Sequence, residues 1–514
     1  GTTWTYPDYK LGVEGDSSGD AYKFMANHDP GRVWLNQGDS IPPGGTYTFN
    51  FRIRGPAQDG TYKPSWRMVH EGVTWFGDSA SRDVRVDPAP QPGPQVRRTG
   101  RVRLSANSLE DDQGKFNALG ATLFWAAWGY KFDRPRLEAA LQVLSKNGFD
   151  YFRALGVVGD PNGPDYWDGR EIDWRWSDYA SVIAGLTDLA YDTYGLRVEW
   201  TLIGDGQKNI PRTSDRVALA DLFLNISRGR EQKIIHFEIA NEYWQNGFSG
   251  PSGLAELRDL SRYMKDRTDI LVAASAPAGG ADQDVFDVYD GGVADIATIH
   301  FDRDTTKTEG PWRPVRQPWE HAYRQPRVPV GSNNEPIGPG SSVASENEPV
   351  RLVAAMIATH VSNIPMYVFH SRAGVRGDLD IANMPGVGAF AVPKGLVPGD
   401  LASWTRKNAH WADSPFRCYA IDAGGNLVPD SMWPDHGSGA QGGAVRAYGD
   451  VNGNEFFVFP LGVRNKIVME PRRNADFDVY EPMSGNKVAS YSLSAGQRFE
   501  LSGAEAFVIK GQYR

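Results

Sequence analysis

Two glutamates stand at positions where reactive carboxyl groups are commonly found, each shortly after an apolar run. Glu242 follows IIHFEIA, residues 234–240, and Glu335 follows RVPVGS, residues 327–332. A pair of carboxyl groups can divide acid–base work, because one can protonate a departing oxygen while the other, ionised, attacks or stabilises the reacting carbon. Cleavage of a glycosidic bond is a reaction that needs such a pair.

Other polar and aromatic side chains lie close to these two glutamates or follow similar apolar runs. Asn241 directly precedes Glu242, and an amide beside an acid is suited to bind a sugar hydroxyl. Arg153, in DYFRAL, would keep a nearby carboxylate ionised. Flat aromatic rings can stack on a ligand. The remaining residues predicted to line the site are His300, Asp302, Trp128, Trp244, His370 and Arg372.

Alternating strands and helices would have to position these residues. From about residue 99 to 415, apolar runs alternate with amphipathic patterns such as RPRLEAALQVLSKNG. Eight such units over roughly 300 residues predict a (β/α)₈ barrel, in which reactive side chains lie at the carboxyl ends of the strands. An open doubly wound sheet is the alternative, but no GxGxxG turn follows the first strand. The candidate strands are ATLFWA (121–126), DYFRAL (150–155), LRVEWTLI (196–203), IIHFEIA (234–240), ILVAA (270–274), ADIATIH (294–300), RVPVGS (327–332) and PMYVFH (365–370).

Structural interpretations of the same residues remain open. Glu242 and Glu335 could be ordinary ion-pair partners, since carboxylates at strand ends often are. His300 could be a core histidine whose hydrogen bonds are satisfied. Glu238 has the same strand parity as Glu242, and we expect it to belong to a polar layer inside the barrel rather than to the chemistry.

Two β-rich segments flank the predicted barrel. Residues 1–87 alternate short β-like runs with turn residues; in GGTYTFNFRIRGP every second residue of the central run is apolar, as in a strand with one buried face. The run PAPQPGPQ favours a semi-rigid extended linker. The chain is therefore predicted to comprise a β-sandwich at 1–87, a linker at 88–98, the barrel at 99–415 and a second β-sandwich at 416–514.

The composition disfavours several classes of protein. The 514 residues include 54 Lys and Arg against 63 Asp and Glu, a net charge of −9, without the basic clusters that bind nucleic acid or anionic membranes. No stretch approaches the roughly 18 apolar residues that span a bilayer, so we expect no membrane insertion. The single cysteine, Cys418, excludes an intrachain disulfide.

The central segment resembles clan A of the retaining glycoside hydrolases, which holds many cellulases, mannanases, xylanases and β-glycosidases. FEIANE matches the motif that ends strand four, SNNEP the one after strand seven, FRAL the strand-two arginine and IH the strand-six histidine. The four motifs occur in the right order over roughly 300 residues. The resemblance implies that Glu242 is the acid/base and Glu335 the nucleophile, with Asn241, Arg153 and His300 in support.

Two positions depart from the pattern of that clan. Many members carry a tyrosine two residues after the strand-six histidine, in contact with the nucleophile, and here that residue is Asp302. Many also carry a tryptophan at the end of strand eight, where this chain reads VFHSRAG, including His370 and Arg372. The catalytic class survives these changes, whereas the substrate does not carry over.

The first segment resembles the Ig-like domain found beside enzymes in bacteria and in an autophagy receptor. GTTW near the start, PPGGTYTFNF, and GTY…WRM…G…FG between Gly60 and Gly77 carry this resemblance, although the family's usual first strand is missing. The resemblance implies an accessory or spacer module without catalytic residues.

Three functional hypotheses follow. The leading one is a retaining glycoside hydrolase that cleaves β-glycosidic bonds in a polysaccharide or oligosaccharide and needs no cofactor and no metal. The second is a metal-dependent barrel hydrolase using His236, His300 and His370, against which strand one lacks a His-x-His pair. The third is a non-catalytic carbohydrate-binding or adhesion protein.

We expect a secreted or cell-surface protein whose start, GTTWTYPDY, lies downstream of a removed segment.

Overall fold

The computed structural model divides into two compact units, Gly1–Gln91 and Pro92–Arg514, which are described separately. The predicted linker at 88–98 lies almost entirely outside the described residues, and the four predicted domain boundaries stay predictions. The described residues are 1–15, 18–25, 31–51, 53, 56, 60–86, 97–159, 167–204, 209–277, 282–303, 310–324, 331–341, 343–408, 414–421, 426–429, 446–463 and 466–514.

Eight parallel strands form the centre of the second unit. Their order in the sheet is β5-β4-β3-β2-β1-β8-β7-β6. A parallel bridge between Ala273 of β5 and Ile296, just before β6, joins the two edges and closes the barrel. The predicted (β/α)₈ fold is confirmed. The strands are β1 Ala118–Thr122, β2 Tyr151–Val157, β3 Arg197–Ile203, β4 Ile234–Ala240, β5 Leu271–Ala273, β6 Ala297–Ile299, β7 Gly331–Asn333 and β8 Met366–Phe369.

Strand β1 lies earlier in the chain than the sequence pattern predicts. The predicted strand covered 121–126, whereas β1 ends at Thr122 and a helix begins at Ala126. The apolar run continues unbroken across both elements, and an unbroken apolar run does not distinguish a buried strand from a buried helix. Every residue of β1 to β4 is buried, as expected for parallel strands covered on both faces.

Helices cover the outside of the barrel. The helix Arg134–Lys146 is capped by Asp133, whose carboxylate accepts a hydrogen bond from the Arg136 backbone N–H. It buries Leu137 and Leu144 as predicted. Within the described ranges, no helix combines the length and apolar character needed to cross a bilayer. The other helices are Ala126–Phe132, Tyr179–Tyr194, Thr213–Ser227, Gly250–Lys265, Asp282–Tyr289, Arg313–Arg324, Pro349–Val361, Arg372–Arg376 and Ala391–Leu396, with 3₁₀ turns at Glu231–Lys233, Gly310–Trp312, Ile381–Asn383 and Leu401–Ser403.

A small antiparallel sheet closes the amino-terminal end of the barrel. Its strands are Arg103–Ser105, Ser108–Asp111 and Gly114–Phe116. Leu109 and Phe116 of this sheet pack with residues of the first, second, fourth and eighth barrel strands in one apolar cluster. The opposite, carboxyl end of the barrel is the one at which the predicted site residues lie.

Two antiparallel sheets follow the barrel and pack face to face around a core of their own. The larger sheet also contacts the barrel: Tyr448 stacks on Trp319 with ring centroids 4.6 Å apart, and Phe457 joins the barrel's apolar cluster. In sheet order, the larger sheet contains Thr405–Asn408, Arg446–Asn452, Glu455–Leu461, Val508–Tyr513, Ala475–Tyr480 and Lys487–Leu493. The smaller contains Leu427–Pro429, Phe416–Ile421, Lys466–Pro471 and Phe499–Ser502.

The first unit is antiparallel and β-rich. Within the run GGTYTFNFRIRGP, the described residues form no strand. Tyr47, Phe49 and Phe51 are half-buried as the predicted alternation requires, whereas Ile53, the next residue of that alternation, is 49% exposed. Phe51 packs on Trp66 with ring centroids 5.7 Å apart. The likeness to an Ig-like domain stays a prediction. The strands of the first unit are Trp4–Thr5, Tyr9–Val13, Arg32–Trp34, Ser40–Ile41, Gly60–Tyr62, Ser65–His70, Thr74–Ser81 and Val84–Val86, and its helix is Asp20–Phe24.

Candidate active site

Arg153 lies at the centre of the polar cluster at the carboxyl end of the barrel. It is fully buried on β2, and its guanidinium reaches groups on two other strand ends. Nη1 donates to Oε1 of Glu335 at 3.0 Å, and Nη2 donates to Oδ1 of Asn241 at 2.8 Å and to Oε2 of Glu238 at 2.6 Å. One side chain therefore fixes the ends of β2, β4 and β7 relative to one another.

A buried layer of charged residues supports this guanidinium from below. Glu238 accepts a hydrogen bond from Thr201 at 2.6 Å, and Glu199 lies 3.2 Å from Arg153 and 3.3 Å from His236. Burial alone would lower the pKa of Arg153, but Glu238, Glu199 and Glu335 raise it above its usual range. Arg153 is therefore a permanent cation, and Glu238 lies in the polar layer that its strand parity predicts.

Glu335 is a buried carboxylate surrounded by cationic and imidazole groups. Besides Arg153, its oxygens lie 3.6 Å from Nη2 of Arg303, 3.7 Å from Nε2 of His300 and 3.9 Å from Nε2 of His370. Burial alone would raise the pKa of Glu335, but nearby groups, Arg153 and Arg303 among them, lower it well below its usual range. Glu335 is therefore ionised at neutral pH.

His370 does not contribute a positive charge at neutral pH. Burial lowers its pKa to about 3, an effect that the proximity of Glu335 offsets only in part. Its Nδ1 lies 2.9 Å from Oγ1 of Thr122, which fixes the plane of the ring. The charges that keep Glu335 ionised at neutral pH therefore include the guanidinium groups of Arg153 and Arg303.

Glu242 is more open than Glu335, with 22% of its side chain exposed against 8%. Its Oε1 shares a hydrogen bond of 3.1 Å with Nδ1 of His300, and Oε2 accepts a hydrogen bond from Gln245. His300 thus lies between the two glutamates. One oxygen of each glutamate and one nitrogen of His300 all lie within 4.8 Å of one another.

The backbone at Glu242 is in the left-handed region, with φ of +43°. A non-glycine residue rarely adopts this conformation, which costs on the order of 1 kcal/mol and persists only where the surroundings enforce it. The turn is enforced here: the Tyr243 N–H donates to Oγ of Ser275 at 2.9 Å, and the Asn246 side-chain amide donates to the Asn241 carbonyl. This left-handed residue comes two positions after the end of β4 and sets where the Glu242 carboxylate lies.

The predicted site residues fall into three groups, and their roles stay predictions. Arg153, Asn241, Glu242, His300, Glu335 and His370 form one cluster. Asp302 pairs with Arg313 at 2.6 Å, and Arg372 is half-exposed and pairs with Asp378 at 2.6 Å.

The two predicted tryptophans are partly exposed. Trp128 packs on Phe132 with ring centroids 5.9 Å apart, and Trp244 makes an edge contact with Tyr243 at 5.8 Å. Trp128 is on the helix that follows β1, because β1 ends earlier than predicted.

Arg303 is a member of the cluster that sequence reasoning missed. It is buried, its Nη1 donates to Oγ of Ser341 at 3.3 Å, and its Nη2 approaches Glu335. The comparison with clan A drew attention to Asp302, two residues after His300, whereas the side chain that reaches Glu335 is on the next residue. The available signal was a basic residue four positions after the end of β6, next to other polar residues.

The described residues bring together one group of three ligands that could approach a single metal ion: Glu242, His300 and Glu335. The guanidinium groups near Glu335 disfavour a cation there. The histidine set His236, His300 and His370 does not form such a group among the described residues, since His236 lies against Glu199 and His370 against Thr122.

No family model and no curated protein sequence matches the chain. Solved structures do. One described as a glycoside hydrolase aligns with a TM-score of 0.55 at 13% identity, covering 80% of this chain and 97% of its own. A glycoside hydrolase family 5 structure from Bacteroides vulgatus ATCC 8482 aligns with a TM-score of 0.56 at 12% identity, covering 80% and 93%.

This chain has the fold of barrel glycoside hydrolases. A third structure, also from Bacteroides vulgatus ATCC 8482, covers 100% of this chain and 98% of its own, with a TM-score of 0.52 at 11% identity. At such low sequence identities the likeness concerns the fold alone. The resemblance of the sequence to clan A implied a barrel fold, and that fold is confirmed.

Proposed function

We propose that the protein is a retaining glycoside hydrolase that cleaves β-glycosidic bonds in a polysaccharide or oligosaccharide. The observation that carries the proposal is that one carboxyl oxygen of Glu242 and one of Glu335 lie within 4.8 Å of each other. Retaining enzymes hold their two carboxyl groups about 5–5.5 Å apart, whereas inverting enzymes leave about 6.5–9.5 Å for a water molecule. The short separation favours direct attack by a carboxylate.

Glu335 is the proposed nucleophile because it is buried and ionised. Oε1 is held by Arg153, while Oε2 accepts no hydrogen bond from the described residues and lies 3.6 Å from Arg303 and 3.9 Å from His370. Oε2 is therefore the oxygen expected to attack the anomeric carbon. The two guanidinium groups keep Glu335 ionised and fix its orientation.

Glu242 is the proposed acid/base because its greater exposure suits proton exchange with solvent. In the first step Oε2 of Glu335 bonds to the anomeric carbon, the bond to the leaving oxygen breaks, and Glu242 gives that oxygen its proton. In the second step Glu242 takes a proton from water, the water oxygen bonds to the anomeric carbon, and the bond to Glu335 breaks. Each atom and proton is thereby restored.

Asn241 is the proposed partner of the sugar 2-hydroxyl. Its Oδ1 already accepts a hydrogen bond from Arg153, so the amide N–H₂ is the group left to donate. A hydrogen bond to the 2-hydroxyl strengthens as the anomeric carbon becomes positive in the transition state. His300, which lies between both glutamates, is expected to hold their relative orientation.

Release of reducing sugar from a panel of plant, fungal and bacterial polysaccharides tests the proposal, with Glu335→Gln measured beside the wild-type protein. We expect release by wild type and a loss of several orders of magnitude in the variant, with an unchanged circular dichroism spectrum. Equal release by both proteins would mean that Glu335 is not the nucleophile. Binding of a glycan without release by either would favour the non-catalytic carbohydrate-binding hypothesis.

A second candidate function rests on the same three groups. Because Glu242, His300 and Glu335 lie within reach of one ion, a metal-dependent hydrolase would use them as ligands. Activity that disappears with a chelator and returns with a divalent cation would support this mechanism over the carboxylate pair.

The proposed polysaccharide substrate is too large to enter a cell unaided, so we also propose a secreted or cell-surface location, testable by cell fractionation.

A further inference from the structure

A concave surface lies beside the C-terminal sandwich, and neither glutamate of the proposed active site lines it. An open cleft of about 860 Å³ lies between the larger sheet and the segment Pro398–Trp404, which follows the last barrel helix. Asn117, the residue before β1, donates a hydrogen bond to the Pro398 carbonyl at 2.7 Å. The cleft is therefore at the amino end of the barrel strands, separated from the proposed active site by a strand length of about 15 Å.

The cleft exists because one sheet face changes from apolar to polar. Where the larger sheet meets the barrel, Phe457 and Phe459 are buried in the barrel's apolar cluster. Farther along the same face, strand Ala475–Tyr480 alternates: Phe477 and Val479 point into the sandwich core, while Asp476 and its i+2 neighbours point the other way. The polar part of this face is left uncovered.

The floor of the cleft consists of cross-strand rows of hydrogen-bonding groups. Asp476 pairs with Ser492 on one neighbouring strand and Gln512 on the other, and Asp478 pairs in the same way with Ser490 and Lys510. Directly paired residues project to the same face of a sheet. The floor therefore offers closely spaced acceptors and donors over three strands.

Aromatic rings line the side of the cleft. Trp404 and Tyr480 both contribute to its surface. The indole N–H of Trp404 has no hydrogen-bond partner among the described residues, and it is shielded from solvent. A ring beside rows of hydrogen-bonding groups matches a ligand with one apolar face and many hydroxyl groups.

The charges of the floor are largely compensated by the protein itself. Asp476 lies 3.3 Å from Nε of Arg514, and Asp478 lies 3.4 Å from Nζ of Lys487. The carboxylates do not converge on a point that a metal ion could occupy, since the described residues contain no ligand group there. Asp400 and Glu455 also line the cleft and would repel an anionic polymer.

We propose that this cleft binds a segment of a neutral oligosaccharide or polysaccharide chain. Sugar hydroxyls donate to the carboxylates and exchange hydrogen bonds with Ser490 and Gln512, while the C–H face of a ring stacks against Trp404. The site is non-catalytic, so the inference goes beyond the proposed hydrolase function and does not depend on turnover. A chain held here raises the local concentration of polymer near the barrel.

Calorimetric titration of the full-length Glu335→Gln protein with neutral oligosaccharides, namely cellohexaose, xylohexaose and mannohexaose, tests the proposal. The background variant prevents hydrolysis during the titration. Three changes are introduced into it: Trp404→Ala, the double change of half-buried Asp478→Asn with exposed Gln512→Ala, and, as a matched control, Lys466→Ala. Lys466 is exposed on the other sheet, where it pairs with Glu500. Because Gln512 is exposed, the pair is expected to fold even where Trp404→Ala does not.

We expect at least one of these oligosaccharides to bind, and both cleft variants to weaken its binding by about tenfold or more. Lys466→Ala should leave the affinity unchanged, and added salt should have little effect because the ligand is neutral. Affinities within twofold of the parent in both cleft variants would overturn the proposal. So would binding of these neutral oligosaccharides that disappears in salt, because the proposed contacts involve no charge on the ligand.

The outcome is independent of the proposed hydrolase function. In the otherwise wild-type chain, the cleft variants should leave turnover of a small chromogenic glycoside unchanged. If no glycoside is turned over but the cleft variants still lose oligosaccharide binding, the hydrolase proposal fails and the cleft assignment stands. If turnover is normal and the cleft variants bind as the parent does, the cleft assignment fails alone.

Discussion

Glu335 is the residue on which the proposed chemistry depends, because it is buried and yet ionised. Burial favours the protonated form, and Arg153 and Arg303 reverse that preference. Glu242 lies nearby in a more open position, where it shares a hydrogen bond with His300. The same pair of side chains therefore occupies two different environments, as an ionised nucleophile and a proton donor require.

Removal of one guanidinium should be visible in the pH dependence of activity. Arg303→Met deletes a cation 3.6 Å from Glu335, so the pKa of Glu335 should rise. The nucleophile must be ionised, and activity is present above this pKa and lost below it. The acid limb of the kcat/KM profile should therefore move to higher pH.

The matched control is Arg417→Met, which removes a guanidinium from the sandwich, where it pairs with Glu470. It should leave the acid limb where it is. An acid limb that does not move in Arg303→Met would show that Arg303 has no influence on the ionisation of the nucleophile.

Arg153 should matter for stability as well as for activity. It contacts Glu238, Glu335 and Asn241 while fully buried, so Arg153→Met leaves buried carboxylates without their cation. Loss of one partner of such a buried pair costs about 3–5 kcal/mol. We expect a decrease of that size in the free energy of unfolding, measured by urea denaturation. A decrease below about 1 kcal/mol, the size typical of an exposed ion pair, would contradict this prediction.

At the scale of elements, the turn after β4 shows how local structure positions the chemistry. Glu242 has a φ of +43°, a conformation that glycine adopts without cost and that alanine resists by about 1–2 kcal/mol. Glu242→Gly should therefore be more stable than Glu242→Ala by about 1 kcal/mol, while both variants lose activity. Urea denaturation of the two variants measures the difference. A Glu242→Ala protein at least as stable as Glu242→Gly would show that the turn relaxes when the carboxylate is removed.

The strand ends show what sequence can and cannot predict. The bounds of β4, Ile234–Ala240, coincide with the predicted run because it is bounded by charged and turn residues. The bounds of β1 do not, because the apolar run continues into a helix. The glutamate pair, Arg153 and His300 were identifiable from motifs at the second, fourth, sixth and seventh barrel strands. Arg303 was not, because its approach to Glu335 depends on the path of a loop rather than on a strand.

At the scale of the whole molecule, the order of a β-rich segment, a barrel and a second β-rich segment follows from periodicity. Periodicity does not predict which distant residues meet. It gives neither the pairing of Thr405–Asn408 with Arg446–Asn452 nor the stacking of Tyr448 on Trp319, because both join residues far apart in the chain. The cleft beside the sandwich was equally unpredictable from sequence, since its floor comes from three strands and its wall from the segment after the barrel.

The contact between the sandwich and the barrel should couple their stabilities. Tyr448 is buried on the sandwich and Trp319 on the barrel, with the Arg406 guanidinium 3.8 Å from the Trp319 ring. Tyr448→Ala leaves a cavity at this contact, and truncating a buried aromatic side chain costs about 3–5 kcal/mol. We expect the temperature of half-inactivation of the barrel to fall by several degrees, measured by residual activity. Tyr491→Ala, at the edge of the sandwich core, is the control and should have a smaller effect.

The anomeric configuration of the first-formed product is the most direct test of the double-displacement mechanism. Proton NMR during hydrolysis of a β-linked substrate records this product before mutarotation. We predict the β anomer, because attack by Glu335 and then by water inverts the anomeric carbon twice. First formation of the α anomer would mean a single displacement by water, which would contradict the assignment of Glu335 as a covalent nucleophile.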